Sequence, residues 1–545
     1  MSNSEQPKMF DSRFIMTVLL IGFAWMGWQS YLAKKYPNAY KRPDATATQA
    51  ESAKAQPTAA TATSAQGQQS KSAVQNVQAT PAAPTERLVA HDDESFNFNI
   101  SSFGMALKSV RLKKYSDRNN EPIYFANESG TQLFSTKILG SSEVLNFSIE
   151  KTNSNEYVGT ATTASGIKVT KTIKVDPAKY LVSTTVKAEG DSPLTGLTTE
   201  STEHADVQTG GFFKSRFDHQ EFLVNHDGKV SRTTADASKP SEESYSNVLI
   251  SAFGSQYFAS ATIDNSEVAP EFKAEVIAGN LALSILNYKK LNAAKSFELK
   301  YSNFVGPKNF ELLKTISPEM TDIVNFGFFT AIAKGIFWIM KSIQSLVSNW
   351  GVALILLTLL VRALVLPVNI MSYKQMKVMA KIQPQIKSLR ERYKDDAQKL
   401  NQEMLNLMKE NKANPLGGCL PMLLQIPIFF ALYQVIGQSI ELYKAPFIFW
   451  IQDLSLKDPF YVLPVLMGVT MFVQQKITPS NMDPAQQKVM MFMPILFSFM
   501  MLSLPSGLTL YIFISSVFGV LQQVYFMREK NPQVIDVKYA QVAKK

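Results

Sequence analysis

The spacing of apolar and polar residues changes character several times along this chain, and each change predicts a different element. Phe14 to Leu32 (FIMTVLLIGFAWMGWQSYL) carries no charge and is about as long as a membrane-crossing helix needs to be. Its tryptophans, Trp25 and Trp28, suit a membrane–water interface. The run exceeds the core of a usual signal peptide and no small-residue cleavage pattern closes it, so a retained anchor is expected at 14–33, after a cytoplasmic N-terminus at 1–13.

Between residues 34 and 90 the apolar periodicity vanishes. Pro43 to Pro84 is mainly Ala, Thr, Ser, Gln and Pro, with Val74 and Val77 as its larger aliphatics, too little apolar surface to bury a core. This is a flexible tether. From 91 to 312 the period is two: Phe96, Phe98 and Ile100 alternate, as do Val169, Ile173 and Val175, and then Val182, Thr184 and Val186 after the turn signal Asp176-Pro177. Short strands between Gly, Asn, Asp and Ser clusters predict an antiparallel β-sandwich. No carboxylate or histidine constellation in it has catalytic spacing, which favours a scaffold or docking role over a binding cleft.

The period then becomes helical. Phe326, Phe329, Ile332, Ile336, Phe337 and Ile343 are apolar, while Lys334 and Lys341, seven apart, share one face. An amphipathic helix lying on the membrane surface is expected at 313–348, with a further span as the alternative. Apolar segments predict transmembrane helices at 349–371, 414–440, 459–475, 488–504 and 508–527. The continuous apolar runs within the fourth and fifth of these spans, Pro459 to Val473 and Val489 to Leu504, reach only about 23 Å, against a hydrocarbon core of about 30 Å, so they would thin the bilayer or limit tilt. Pro505-Ser506-Gly507 makes the last two a hairpin. The stretch 372–413 reads as a helical hairpin, with Ile382, Ile386, Leu389 and Tyr393 on one arm, Leu400, Met404 and Leu407 on the other, and Asp395-Asp396 between. The expected fold is therefore a multi-domain integral membrane protein: six transmembrane α-helices, a large β-sandwich outside, a helical hairpin inside, connecting loops at 441–458 and 476–487, and a tail at 528–545.

Charge orients this arrangement. Ten Lys and Arg residues lie between Lys374 and Lys412, a short-loop excess that marks the hairpin as cytoplasmic. Alternating spans then put both termini in the cytoplasm and residues 34–348 outside. Lys34, Lys35, Lys41 and Arg42 after the first span point the other way, but long translocated domains are largely indifferent to flanking charge. The chain carries a net charge of +10, yet its aromatics cluster in apolar runs instead of interleaving with basic residues. Lipid headgroups, not DNA, are the expected anionic partner. Cys419 is the single cysteine, the four histidines (His91, His204, His219, His226) lie in the N-terminal half, and no GxxxxGK phosphate loop occurs. These facts exclude an intrachain disulfide and a cysteine zinc site, and no cofactor, metal or enzymatic activity is expected.

Arg362 stands within the otherwise uncharged run GVALILLTLLVRALVLPVNI. An arginine at mid-membrane costs roughly 2.5–3.5 kcal/mol on insertion scales, so it faces protein or trapped water unless it snorkels. Snorkelling is disfavoured by distance, since Lys374 lies about 18 Å further along the helix. Thr358 and Asn369 share its face. Gln425, Gln434, Gln474, Ser498, Tyr511, Ser515 and Ser516 are the polar residues of the later spans; they either complete a wet concavity or join helices by hydrogen bonds. None of the six runs contains Asp or Glu, a poor composition for ion-coupled transport. A solute or lipid transporter with an exterior binding domain is the alternative from a different class.

At Asn414-Pro415-Leu416-Gly417-Gly418-Cys419, with Pro421 and Gln425-Ile426-Pro427-Ile428-Phe429 following, the chain resembles the YidC family of membrane protein insertases. LLVRALVLP (Leu359 to Pro367), DPAQQKVMMFMPILF (Asp483 to Phe497) and LPSGLTLY (Leu504 to Tyr511) fit the same family, and the exterior domain and anchor match its Gram-negative form. The resemblance implies a five-helix insertase core in the bacterial inner membrane, with a hydrophilic groove open to the cytoplasm and closed to the periplasm. Arg362 matches the family's groove cation, and Thr358, Asn369, Gln425 and Tyr511 are its expected companions. Phe429 and Met500 map to the apolar slide used by a client. The family often has a second tyrosine after the one matched by Tyr511, where this chain has Ile512. Implied partners are nascent membrane proteins and Sec translocon components, with the ribosome a candidate for the basic hairpin.

Overall fold

The computed structural model describes residues 85–528, apart from 208–216, 278–279, 395, 415–419 and 479–483. The expected anchor at 14–33, nearly all of the tether and the tail beyond 528 lie outside the described residues. So do Cys419 and most of the segment 414–419.

Sixteen antiparallel strands, β1 to β16, occupy residues 88–307. Two of them are far longer than the alternation predicts: β9 (Leu181–His204) and β16 (Leu281–Pro307). Each serves two layers. The first half of β9 pairs with β8 (Lys168–Asp176) and with the second half of β16, which continues to β14 (Phe258–Asp264). The second half of β9 pairs with β5 (Gln132–Ile138) and with the first half of β16, which continues to β15 (Glu271–Ile277). Register shifts between Lys289 and Ser296 mark where the chain passes from one layer to the other. Gly196 lies at this bend, where a Cβ would sit 2.1 Å from the Tyr288 carbonyl oxygen. Within β2 (Phe96–Ser101) the alternation is as read: Phe96, Phe98 and Ile100 are buried and Asn97 is exposed.

The sandwich interior holds ionisable groups that hydropathy alone would not put there. Lys171 is buried and donates to the backbone oxygens of Gly104, Met105 and Phe134 at 3.2, 3.0 and 2.6 Å, matching three ammonium protons to three acceptors. Burial still pushes its pKa down to about 7. Glu203 is buried beside Ser260, whose hydroxyl donates to it, and burial raises its carboxyl to about 7.

Eight α-helices follow. Helix α1 (Phe310–Ile316) is capped by Asn309, whose Oδ1 accepts from the Leu312 N–H at 2.8 Å. A 3-10 turn (Pro318–Ile323) leads to α2 (Thr330–Val347). One face of α2, with Ala333, Ile336, Phe337 and Met340, is buried against the bundle, while Phe328, Trp338 and Leu346 are exposed. Both lysines of the shared face lie beside α1. Lys334 lies over the Phe310 ring at 5.4 Å and Lys341 pairs with Glu311 at 4.0 Å. The exposed face of α2 mixes Ile332, Trp338 and Leu346 with Ser342 and Ser345.

Helix α3 (Trp350–Arg392) runs 43 residues without a break, so the predicted membrane segment and the first hairpin arm are one rod. Helix α4 (Ala397–Glu410) folds back along it. Its N-cap Asp396 accepts from the Lys399 N–H at 3.0 Å, and Ile382, Ile386, Leu389, Tyr393, Leu400, Met404 and Leu407 form a small separate core. Then come α5 (Leu420–Gln438), α6 (Val462–Ile477), α7 (Pro484–Met501) and α8 (Ser506–Arg528). By length and composition two helices, Trp350–Arg392 and Ser506–Met527, can cross a membrane; Leu423–Gln438, Val462–Ile477 and Met490–Met501 are shorter apolar helices. The sixteen residues of α6 span about 24 Å.

The loop after α5 joins the helices to the sandwich. Tyr443 donates to the Ser116 carbonyl at 3.1 Å and stacks near Tyr257, Lys444 donates to Ser116 Oγ at 2.8 Å, and Gln256 donates to the Gly437 carbonyl. Asn309 donates to Glu441 at 3.0 Å; burial raises that carboxyl to about 7 although Lys341 opposes the shift.

Candidate functional site

Helix α3 carries the site because its start is fixed. Asn349 accepts from the Val352 N–H at 3.0 Å, and its amide donates to the Phe447 carbonyl at 3.1 Å. Twelve residues on, Arg362 reaches α8: Nε donates to Ser515 Oγ at 2.8 Å and Nη2 donates to the same oxygen. Gly519 of α8 leaves room beside it. A Cβ there would lie 3.2 Å from Gln474 Nε2 on α6 and 3.9 Å from Arg362 Nη2, so the amide and the guanidinium flank one glycine. Pro367 has no N–H to give to the Ala363 carbonyl, which leaves an open acceptor next to Arg362.

Tyr511 is buried, and its hydroxyl accepts from Gln425 Nε2 of α5. Gln425, Tyr511, Ser515 and Arg362 therefore form a polar chain across three helices, with Gln474 of a fourth close by at Gly519. None of the described residues of α5, α6, α7, α8 or the apolar half of α3 is Asp or Glu. A cation held by a neutral hydroxyl, with no counter-charge among the described residues of these helices, keeps a field that no carboxylate here compensates. In low dielectric that field acts more strongly than in water.

The contacts between α3 and α8 share one register. Arg362 meets Ser515 and Asn369 meets Gln522, both 153 residues apart, and Tyr373 stacks on Phe526 at the same offset, with ring centroids 5.7 Å apart. A constant offset means that the two helices run parallel. Asn369 therefore belongs to a second rung, where its amide donates to Gln522 Oε1 at 3.3 Å.

Thr358 faces the bundle but offers it no proton, since its hydroxyl donates to the Leu354 carbonyl at 2.7 Å and the residue is fully buried. Ser498 likewise donates to the Pro464 carbonyl at 2.6 Å and joins α7 to α6. Gln434 stands away from Arg362, against Gly327 near the sandwich. Phe429 is half-buried, touching Phe430 edge to face, and Met500 is exposed. Sequence reasoning missed Gly519, Gln522 and Tyr373. The signal was there in part: Ser515, Gly519 and Gln522 follow a 4, 3 spacing on one face of α8.

Residues 342–533 match the family model described as 60Kd inner membrane protein, and residues 89–339 match that of the YidC periplasmic domain. A membrane protein insertase YidC from Geotalea uraniireducens (strain Rf4) is 35% identical over 490 residues, covering 84% of this chain and 92% of the relative. The chain belongs to the YidC family of membrane protein insertases. A second member, from Geobacter sulfurreducens, is 43% identical over 282 residues, 51% of this chain and 53% of its own. Among solved structures, an active YidC insertase crystal structure with the first transmembrane domain resolved covers 81% of this chain and 92% of its own, at 19% identity and a TM-score of 0.37.

Proposed function

We propose that this chain inserts and helps fold membrane proteins in the inner membrane, alone or beside the Sec translocon, through a cytoplasm-facing groove centred on Arg362. The observation that carries this reading is the part-buried Arg362–Ser515 contact on helices whose described membrane residues include no carboxylate. Such a cation attracts the polar or acidic flank of an entering chain. Gln425 and Tyr511 supply neutral partners, and the client's own apolar burial drives insertion. No bond is made or broken, so neither catalysis nor a cofactor is required.

On this reading the membrane part has six spans, with the segment at 14–33 as the first and α3, α5, α6, α7 and α8 as the rest. The parallel α3 and α8 agree with this count, since spans two and six must cross in the same direction. The shortness of α6 supports local thinning, which lowers the barrier for a polar segment. Phe429 and Met500 form the apolar slide, and the basic hairpin of α3 and α4 meets the ribosome or the client at the cytoplasmic mouth. The test is a photo-crosslinking residue at Gln425 or Tyr511 during synthesis of a small membrane protein. Crosslinks to the nascent chain are expected at both, and their absence at both would overturn the groove.

A further inference from the structure

A polar cavity of about 560 Å³ lies at the far end of α5 from Gln425, where the helix meets the sandwich. Gln434 and Gln438, one helical turn apart, line it together with Asn325, Thr234, His219 and Phe328. Gln438 is only 6% exposed, yet among the described residues neither glutamine amide has a hydrogen-bond partner. Buried amides are nearly always paired, so the open amide of buried Gln438, beside that of half-buried Gln434, marks this lining as one that can bind a polar ligand. The cavity has a built shape. Gly327, at φ +67°, bonds its N–H to Asn325 Oδ1 at 3.0 Å, and a Cβ there would press on the Gln434 side chain at 3.1 Å.

The surroundings say what the occupant is like. Leu423, Ile426 and Phe430 are exposed along α5, and Phe430, one turn before Gln434, stacks near Phe329. An apolar track thus leads to a hydrogen-bonding cavity, also lined by His219, which lies 3.9 Å from the Glu221 carboxylate, with an exposed aromatic lip at Phe328. A glutamine amide offers one acceptor and two donors, which complement both halves of a peptide bond. A phosphate would use only the donors and leave each Oε1 unpaired.

We infer that this cavity holds the translocated, uncharged polar flank of a client while the client's apolar segment lies along α5. The inference rests on the insertase reading above and adds a second, outer contact to it. Gln425 lies nine residues before Gln434, close to half a turn around the helix, so the two contacts are on different faces and are met in succession.

The test uses the full-length protein in inverted membrane vesicles, with a photo-crosslinking residue at Asn325 or at Gln425. Clients are single-span chains with a Ser/Asn/Gly-rich N-terminal tail, stalled at increasing lengths. Crosslinks are expected at Gln425 for short chains and at Asn325 only once the tail has crossed. Replacing Gln434 and Gln438 together by leucine should lower the Asn325 crosslink about fivefold, from two lost amide contacts, and leave the Gln425 crosslink unchanged. A client that crosslinks at Gln425 but at no length at Asn325 overturns this proposal and leaves the groove standing. So does an Asn325 crosslink only to photo-activatable phospholipid, which would make the cavity a headgroup site. Loss of both crosslinks overturns both readings.

Discussion

Replacing Arg362 by methionine should make the protein more stable and less active. Methionine keeps an unbranched stem of similar reach and removes the charge. The guanidinium has five N–H groups, and those not aimed at Ser515 meet no protein acceptor among the described residues. Holding such a charge at mid-membrane costs roughly 2.5–3.5 kcal/mol. A hydrogen bond from a charged group to one neutral acceptor returns about 1.5 kcal/mol. The difference, about 1–2 kcal/mol, is the stabilisation expected for Arg362→Met, because the Ser515 hydroxyl can turn to Tyr511 and is not orphaned. Thermal unfolding in lipid nanodiscs measures it as a higher Tm. Insertion into proteoliposomes should fall at least about tenfold for a client with an acidic flank, the equivalent of about 1.4 kcal/mol of lost attraction, and much less for a neutral one. Arg362→Lys should keep most insertion activity. A lower Tm for Arg362→Met would show that the arginine is a structural tie, and unchanged insertion of acidic clients would remove its charge from the mechanism.

Three further outcomes follow from the geometry. Glu203 keeps its proton to about pH 7 when folded but only to about 4.5 when unfolded, so its contribution is complete below pH 4.5 and is lost as pH rises through 7, by up to about 3 kcal/mol. Denaturation of the full chain at pH 5 and pH 8 should show this fall, and Glu203→Gln should flatten it. Gly351→Ala places a Cβ 2.1 Å from the Phe447 ring and 2.8 Å from its Cβ, and should cost about 1–3 kcal/mol; Phe447→Leu in the same chain should recover part of it, measured as Tm. Lys171→Met strips a donor from three buried carbonyls and should destabilise the sandwich by about 2 kcal/mol or more in urea denaturation, with insertion per folded molecule unchanged.

Much of this architecture is legible in the chain, because its signals are local. The period-two stretch reads as strands since each residue answers only to the face it lies on, and the hairpin of α3 and α4 reads correctly since its two stripes pair with each other. The middle of β9 misleads for a physical reason. Gly190-Asp191-Ser192-Pro193-Leu194-Thr195-Gly196 has the composition of a turn, yet the strand continues through it, bending where two layers share it. The neighbours of Lys334 and Lys341 could not be read locally, because Phe310 and Glu311 come from α1, an element brought alongside by the tertiary fold.

The site shows the same division more sharply. Arg362 is conspicuous in the sequence because an unpaired charge in an apolar run is costly wherever the helix lies. Its partner is not, because the choice among Ser515, Ser516 and Tyr511 depends on the register between α3 and α8. Thr358 shows what a shared helical face leaves out. Thr358, Thr470 and Thr478 each donate to the carbonyl four residues back, at 2.7 Å in all three cases, since a short β-branched side chain on a helix finds that acceptor first. Arginine, asparagine and glutamine are long enough to leave their own backbone, and Arg362, Asn369 and Gln425 all reach across to α8. A polar stripe on an apolar helix should therefore be weighed by reach as well as by face. By that measure Gln425 joins Arg362 in reaching α8, Thr358 stays bonded to its own helix, and Gln434 and Gln438 stand out as long amides directed at a cavity.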